Sequence, residues 1–231
     1  VTEQVPAGFT STDGSWVGVT GRARVIVFDS AALAADELPE QVSELADPQW
    51  SGRVAIAPSN ASFQSFITAY RVIEGEAAAE EWVAAIAAHD PQIFENNGAI
   101  LQAVNEGVAE VGLINHYYWY RLAAEQGAEK MRAQLFFPAA GDPGSIVNVT
   151  GAGILASAGA DADALQFLEF LLSPVAQQYF VDETFEYPLV AGIAAPEGLP
   201  ELQSLRNASL DLSDLRSLEE TQALLAAHGL I

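Results

Sequence analysis

Short apolar, β-rich segments alternate along this chain with segments of helical periodicity, and this alternation constrains the possible folds more than any other feature. Strands are predicted at residues 17–28, 53–57, 110–114 and 146–155. Helices are predicted at residues 63–73, 76–88, 99–105, 119–132, 161–180 and 214–228, the fifth with a break at Ser173-Pro174. The pattern is typical of a layered α/β fold. Because no Gly/Ser-rich linker is present, two lobes would have to be joined by strands.

The composition excludes several classes of partner. The 231 residues include 31 acidic and only 9 basic side chains, which gives a formal net charge of −22. Nucleic acid and anionic lipid both attract basic side chains, so we expect neither as a partner. No apolar run approaches the roughly 20 residues that span a bilayer, and no direct membrane insertion is expected. The absence of cysteine excludes thiolate metal sites and cysteine nucleophiles.

Two predicted strand-to-helix or loop-to-helix turns carry polar residues that could bind an anion. The loop from Pro58 to Ser62 ends a strand and opens a helix, which gathers free backbone N–H groups in front of the helix dipole. The side chains of Asn60 and Ser62 could add hydrogen-bond donors for a small oxyanion. Asn97 stands at the start of another predicted helix. Ordinary N-capping is the alternative for each of these positions.

Two adjacent tyrosines, Tyr117 and Tyr118, follow the strand predicted at residues 110–114. At a strand-to-helix turn their side chains can converge on one cleft, which they could not do within a strand. A phenolate is a hard oxygen ligand that suits a trivalent cation such as Fe(III), and the metal charge would assist a deprotonation whose pKa is ordinarily near 10. An aromatic cluster that anchors a helix is the alternative, and the spacing leaves both open. We expect His116 to support this site or to lie on the surface.

Catalytic motifs are absent from the sequence. No Asp/Glu pair stands out as an acid–base couple, and there is no Walker-type phosphate loop, no HExxH and no GxSxG. A hydrolase or transferase that used Tyr117 or His116 for acid–base chemistry would lack a positioned partner. We therefore expect a binding protein and not an enzyme.

Seven segments carry a resemblance to a known family. They are WVGVTGRARVIVF, DPQWSGRVAIAPSNASFQSF, the loop at Asn97, EVGLINHYYWYRLAAE, IVNVTGAGIL, ALQFLEFLLSPVAQQYF and FEYPLVAG. In this order they resemble the ferric-iron-binding periplasmic proteins, the substrate-binding subunits of bacterial Fe(III) ABC importers, over essentially the whole chain. The tyrosine pair after Leu-Ile-Asn is the most specific element. The resemblance implies an α/β, class II, transferrin-like periplasmic-binding-protein fold with two lobes and hinge-crossing strands.

The resemblance also implies a site and a role. Tyr117 and Tyr118 would be the metal ligands, and Fe(III) would be the cargo. The synergistic anion, phosphate or carbonate, would be held by Asn60, Ala61, Ser62, Asn97 and Asn115. The protein would be a monomer, periplasmic or on the cell surface, that delivers iron to an ABC transporter permease of the inner membrane. A metal-independent binding protein for a small anion or organic solute is the alternative.

The family's chains are longer at the N-terminus, so the resemblance implies an N-terminally truncated chain with an incomplete first lobe. The chain starts at Val1 without an initiating methionine or a signal peptide, and it is expected to be processed or a fragment. Residues 10–23 and 148–198 would be remnants of the first lobe, and residues 24–147 and 199–231 would form the second. The remnants would expose a face that a complete lobe buries, and a fragment without function is a further possibility. Some relatives place a third tyrosine where this chain has Phe63, which favours the version with two tyrosines and an anion.

Overall fold

A computed structural model describes residues 2–159, 161–205 and 210–231. The strands are β1 (Val17–Asp29), β2 (Val54–Ile56), β3 (Gln92–Ile93), β4 (Val111–Asn115), β5 (Ala133–Phe136), β6 (Val147–Ala152) and β7 (Tyr187–Pro188). The helices are α1 (Ala61–Glu74), α2 (Glu76–Ala88), α3 (Asn97–Asn105), α4 (Tyr117–Gln126), α5 (Ala162–Leu171), α6 (Pro174–Tyr179), α7 (Leu202–Leu205) and α8 (Leu218–Ala227). The α/β class expected from the alternation is confirmed.

The long strand β1 organises the sheet, because its two halves pair with different strands. Its first half pairs antiparallel with β6 and β7, and its second half pairs antiparallel with β4 and β5. Strand β2 lies parallel to β4 on one side and to β3 on the other, which gives the order β3-β2-β4-β1-β5. Since β2 and β4 are parallel neighbours, their carboxyl ends and the helices that follow them open at the same edge of the sheet.

Helices cover both faces of this sheet. Successive side chains of β1 point to opposite faces and pack against different helices. Val25 and Val27 pack against Ile100 of α3 in one buried cluster. Ile26 packs against the aromatic side chains of α1 and α2, including Phe66, in another. Among the described residues, no helix combines the length and the apolar character needed to cross a membrane.

A third buried cluster surrounds Tyr187 and includes Val17 at the start of β1. Leu205 of α7 belongs to this cluster, whereas Leu225 of α8 packs with the α1 and α2 side chains. Large apolar side chains are exposed on α5 and α6, namely Leu165, Phe167, Phe170, Val175 and Tyr179. The division of the chain into two lobes stays a prediction, and residues 160 and 206–209 of its ranges lie outside the described residues.

The main difference from the sequence prediction lies after the tyrosine pair. Helix α4 begins at Tyr117, two residues before the predicted start, and ends at Gln126 instead of residue 132. Gly127 ends it with a φ of 93°, a value that glycine adopts without steric cost, and the chain then returns to the sheet as β5. The predicted break at Ser173-Pro174 is confirmed, since the Ser173 side chain accepts a hydrogen bond from the N–H of Ala176 and α6 begins at Pro174.

Gly112, in the middle of β4, is required by close packing between the sheet and α3. A Cβ atom there would collide with Cγ2 of Ile100 and lie 3.3 Å from Cγ1 of Val27. We expect Gly112→Ala to lower the free energy of unfolding by about 1–3 kcal/mol, because a core without free space cannot take an added methyl group. Urea denaturation followed by circular dichroism measures the change.

Gly159→Ala is the matched control, since its Cβ would meet nothing closer than the Ala156 carbonyl oxygen at 3.4 Å on an exposed turn. Its unfolding free energy should stay within about 0.5 kcal/mol of the parent value. Equal losses in the two variants would contradict the packing argument.

Candidate anion and metal site

The first element of the site is the turn between β2 and α1. Asn60 is the N-cap of α1, and its Oδ1 accepts hydrogen bonds from the backbone N–H of Ser62 at 3.0 Å and from the Ser62 hydroxyl at 2.7 Å. Ala61 is the first helical residue and is exposed. The capping role that was the alternative for Asn60 is therefore present, and it fixes the Ser62 side chain beside the start of the helix.

The second element is the start of α3. The N-cap there is Asn96, whose Oδ1 accepts a hydrogen bond from the N–H of Ala99 at 2.9 Å. This leaves the side chain of Asn97 free of capping, and only 2% of Asn97 is exposed. Its Nδ2 donates to the Ser62 hydroxyl oxygen at 2.9 Å, so the starts of α1 and α3 meet at Ser62.

A buried arginine joins these two helix starts, and the sequence prediction had missed it. Arg24 of β1 is 1% exposed, and its Nη1 donates to Ser62 Oγ at 3.1 Å and to Asn97 Oδ1 at 3.3 Å. Its Nη2 donates to the carbonyl oxygen of Leu113 at 2.8 Å, while its Nε has no hydrogen-bond partner. Burial lowers the pKa of Arg24 to about 9, which leaves the guanidinium charged at neutral pH.

The guanidinium of Arg24 also lies over two aromatic rings of α1. Its Cζ is 5.7 Å from the ring centre of Phe63 and 5.6 Å from that of Phe66, distances at which a cation is attracted to a ring face. The signal that could have revealed it is the pattern Arg22-Ala23-Arg24 within an otherwise apolar strand. Alternate residues of a strand share a face, so the two arginines reach the same region.

Arg22, Arg24 and Ser62 line a cavity of about 110 Å³, large enough for several water molecules or one small ion. Its walls carry donors of hydrogen bonds and two positive charges, and they include no aspartate or glutamate. The lining residues are Arg22, Arg24, Ala61, Ser62, Ser65, Phe66, Asn115, Ile146 and Asn148. Among the residues proposed from the sequence, Ala61, Ser62 and Asn115 thus line one cavity. Asn60 and Asn97 do not line it, but both form hydrogen bonds with the Ser62 hydroxyl.

The tyrosine pair lies two residues beyond Asn115, in the first turn of α4. The rings of Tyr117 and Tyr118 stack, with centres 4.5 Å apart and planes inclined by 28°. Burial raises the pKa of Tyr117 above its ordinary value, the hydrogen bond with Tyr118 acts in the same direction, and the charge of Arg22 acts in the opposite one. The charge of Arg24 likewise interacts with Tyr118. The tyrosines and the arginine cavity are therefore close enough to influence each other.

His116 is fully buried and is not the surface residue that was one of its two expected placements. Its Nδ1 accepts a hydrogen bond from the N–H of Ala23 at 3.0 Å, and its Nε2 donates to the carbonyl oxygen of Phe185 at 2.8 Å. Burial lowers the pKa of His116 to about 4, so the ring is neutral at neutral pH. Because both ring nitrogens have backbone partners, His116 ties β1 to the segment before β7 and directs the start of α4.

Among the described residues, no group of three or more His, Asp or Glu side chains is placed to hold a metal ion. Near this cavity, the phenols of Tyr117 and Tyr118 offer side-chain oxygen atoms that could hold one. Oxygen atoms of an anion in the cavity could complete the coordination, since a hard trivalent cation prefers oxygen ligands.

Arg24 Nη1 donates to two acceptors, Ser62 Oγ and the buried Asn97 Oδ1. Loss of the Asn97 acceptor should therefore lower the stability of the fold. We expect Asn97→Ala to lower the free energy of unfolding by about 1–3 kcal/mol, because it leaves a buried guanidinium with one acceptor fewer. Urea denaturation in a buffer without oxyanions measures this. Asn148→Ala is the control, since the Asn148 side chain accepts a hydrogen bond only from the neighbouring Val149 N–H. A loss below about 0.5 kcal/mol for Asn97→Ala would show that the network does not stabilise the fold.

The chain is similar in sequence to bacterial solute-binding proteins. The family described as "Bacterial extracellular solute-binding protein" matches residues 2–211. The Fe(3+)-binding periplasmic protein of Serratia marcescens is 30% identical over 229 residues, which are 99% of this chain and 67% of that relative. The major ferric iron-binding protein of Neisseria meningitidis serogroup B is 31% identical over 215 residues, 93% of this chain and 65% of that relative. The chain thus spans about two thirds of the length of these relatives.

Solved structures show the same likeness. Iron-bound HitA from Pseudomonas aeruginosa superposes with a TM-score of 0.90 and 32% identity, over 99% of this chain and 74% of that one. Apo FutA2 from Synechocystis PCC6803 superposes with a TM-score of 0.85 and 30% identity, over 99% of this chain and 75% of that one. These neighbours confirm the class II periplasmic-binding-protein fold that the resemblance implied.

Proposed function

Because the chain belongs to the bacterial extracellular solute-binding proteins, we propose that it captures Fe(III) together with a synergistic oxyanion and delivers the metal to an ABC transporter permease. Relatives named as ferric-iron-binding proteins in Serratia and Neisseria support the choice of cargo. The solved complex of a Trichodesmium relative with iron and citrate supports a site shared by metal and anion. The role is binding and transport, outside the cytoplasm.

The observation that carries the proposal is the position of the stacked tyrosines beside a cationic, hydrogen-bonding cavity. Tyr117 and Tyr118 occupy the first turn of α4, and Asn115, two residues earlier, faces the cavity with Ser62. Phenol oxygens and the oxygens of an anion together offer a hard trivalent cation the ligands it prefers. An aromatic anchor alone would not require a neighbouring cavity that is lined by two arginines and no carboxylate.

Because the pKa of Tyr117 is raised, binding of the metal to this phenol must release a proton. Burial keeps the phenol protonated in the absence of metal, so Fe(III) must displace the proton to form the phenolate bond. Each phenolate formed releases a proton, and the affinity for iron therefore falls as the pH falls. The helix N-terminus and the nearby guanidinium groups favour the negative phenolate and offset part of the cost of burial.

The anion is held at the helix starts, and it fills coordination positions that two tyrosines leave open. Phosphate or carbonate would accept hydrogen bonds from the backbone at Ala61 and from the amide of Asn115, with Asn60, Ser62 and Asn97 keeping the turn in position. Backbone N–H groups at a helix start are suited to this task because they have no intrahelical partner.

Transport requires the ligand to be enclosed and later released, and the pairing of β1 supports a hinge between two lobes. Residues 10–23 and 148–198 would belong to the first lobe, and residues 24–147 and 199–231 to the second. Strand β1 changes partners from β6 and β7 to β4 and β5 near Ala23, where such a hinge would bend. The protein would act as a monomer, periplasmic or on the cell surface, that docks on the permease of the inner membrane.

Tyrosinate bound to Fe(III) gives a visible charge-transfer band, and this band tests the ligand assignment. Fe(III) and phosphate added to the protein should produce the band, and Tyr117→Phe or Tyr118→Phe should each reduce the iron affinity by at least about 100-fold, because each removes a bond made to a charged ligand. The titration is followed by absorbance. It is run on this chain and, if the natural protein is longer, on the complete protein as well.

Tyr179→Phe is the control, because Tyr179 is exposed on α6 and lies outside the cavity lining. It should retain the band and the affinity of the parent. Unchanged iron affinity in both single variants of the tyrosine pair would contradict the proposal.

A metal-independent protein for a small anion or organic solute is the second candidate. The cavity favours it, since Arg22, Arg24 and Asn115 can bind an anion without any metal. In that case phosphate would bind, the tyrosines would stack or hydrogen-bond, and no coloured complex would form with Fe(III) in a folded protein.

A further inference from the structure

Among the described residues, no carboxylate forms an ion pair with Arg22 or Arg24. The ion pairs in this part of the chain join Arg53 to Glu110, Arg71 to Glu76 and Arg132 to Asp29. Arg24 donates only to neutral oxygens, and Arg22 donates through Nη2 to the carbonyl oxygen of Val149 at 3.1 Å. The Nε atoms of both arginines are buried and have no hydrogen-bond partner.

A buried charge without a counter-charge is costly, and arginine cannot avoid the cost by losing its proton at neutral pH. The absence of an acid is unexpected in this chain, which has 31 acidic and 9 basic residues, because a carboxylate at the cavity would have been easily supplied. Glu186 interacts electrostatically with Tyr117 and accepts a hydrogen bond from the hydroxyl of Thr20, but it does not line the cavity and forms no ion pair with either arginine among the described residues. The counter-charge is therefore expected to come from outside the chain.

The Ser62 hydroxyl at the cavity is satisfied by its neighbours. The Ser62 hydroxyl donates to Asn60 Oδ1 and accepts from both Arg24 Nη1 and Asn97 Nδ2, so its proton is not directed into the cavity. The Nε groups of the two arginines are buried donors without partners, one of them on a side chain that is 1% exposed. Arg22 and Arg24 lie two residues apart on one face of β1, and both line the cavity.

We propose that Arg22 and Arg24 are the charge-bearing, specificity-determining residues of the anion site, and that they select small divalent oxyanions over monovalent ones. This inference rests on the anion half of the proposed function and is independent of iron. Two cations at one cavity of about 110 Å³ are neutralised by one dianion, whereas a monoanion leaves one positive charge uncompensated. The selected ligands share the chemistry of phosphate, carbonate and sulfate.

The same charges matter when metal is present. Two phenolates leave one of the three charges of Fe(III) uncompensated, and the two guanidinium groups add two more. A dianion removes two of these three charges and a monoanion only one, so the arginines would also favour divalent anions in the iron complex.

Sulfate and perchlorate separate charge from shape, because both are tetrahedral and neither titrates near neutral pH. Isothermal titration calorimetry on the iron-free protein, with a chelator present and at low ionic strength, compares them. Sulfate should bind at least about tenfold tighter than perchlorate, since each charge-assisted hydrogen bond to a guanidinium adds about that factor. In a third titration, phosphate should likewise bind more tightly than perchlorate. Failure of sulfate to bind, or equal affinities for sulfate and perchlorate, would overturn the proposal.

Variants assign the selectivity to the two arginines. Arg24→Met keeps an apolar side chain against the rings of Phe63 and Phe66, and Arg22→Gln keeps a donor for the Val149 carbonyl. Each should weaken sulfate by about tenfold and reduce the preference over perchlorate. Arg53→Gln, which removes a cation paired with Glu110 outside the cavity, should bind sulfate as the parent does.

Arg22→Gln decides the result if Arg24→Met does not fold, because Arg22 is half-buried and makes one backbone contact. Sulfate affinity equal to that of the parent in folded Arg22→Gln would overturn the proposal. An arginine-dependent preference for sulfate in a protein that forms no coloured iron complex would reject the iron function and leave this inference standing. A coloured iron complex without any preference between sulfate and perchlorate would support the iron function and overturn this inference.

Discussion

The buried guanidinium of Arg24 is the interaction on which the site depends. It joins the middle of β1 to the start of α1 through Ser62, to the start of α3 through Asn97 and to β4 through the carbonyl of Leu113. An arginine can hold three segments at once because its planar fork offers donors in fixed directions. The same side chain keeps a positive charge beside the cavity. Arg24 thus holds the site together and, with Arg22, carries the charge on which the proposed anion preference rests.

The topology of the sheet explains why weak local signals meet in one place. Strands β2 and β4 are parallel, so the turns that follow them open at the same edge, and the antiparallel β1 brings Arg24 directly opposite Asn115. The turn after β2 alone has an ordinary capping role, through Asn60. The two turns meet at a cavity whose lining has no carboxylate, and the arginines of that lining interact with the nearby Tyr117 and Tyr118, which favours binding of an anion and a hard cation.

Much of the fold could be predicted from the sequence, because the long apolar strands and helices carry their own periodicity. The end of α4 was missed because Gly127 stops a helix whose residues continue to favour helix, and β7 has two residues and no pattern. For the site, the polar turns and the tyrosines were visible as motifs. Arg24 and the placement of His116 were not, because they depend on which residues β1 meets across the sheet, and a sequence does not state its own burial.

The most direct test of the account is a crystal structure of the protein loaded with Fe(III) and phosphate, with the metal located by its anomalous scattering. We expect an iron atom bound by the phenol oxygens of both Tyr117 and Tyr118, with a phosphate oxygen as a further ligand and the remaining phosphate oxygens within hydrogen-bond distance of Arg22 or Arg24. An iron atom bound elsewhere, or bound here without either tyrosine, would contradict it.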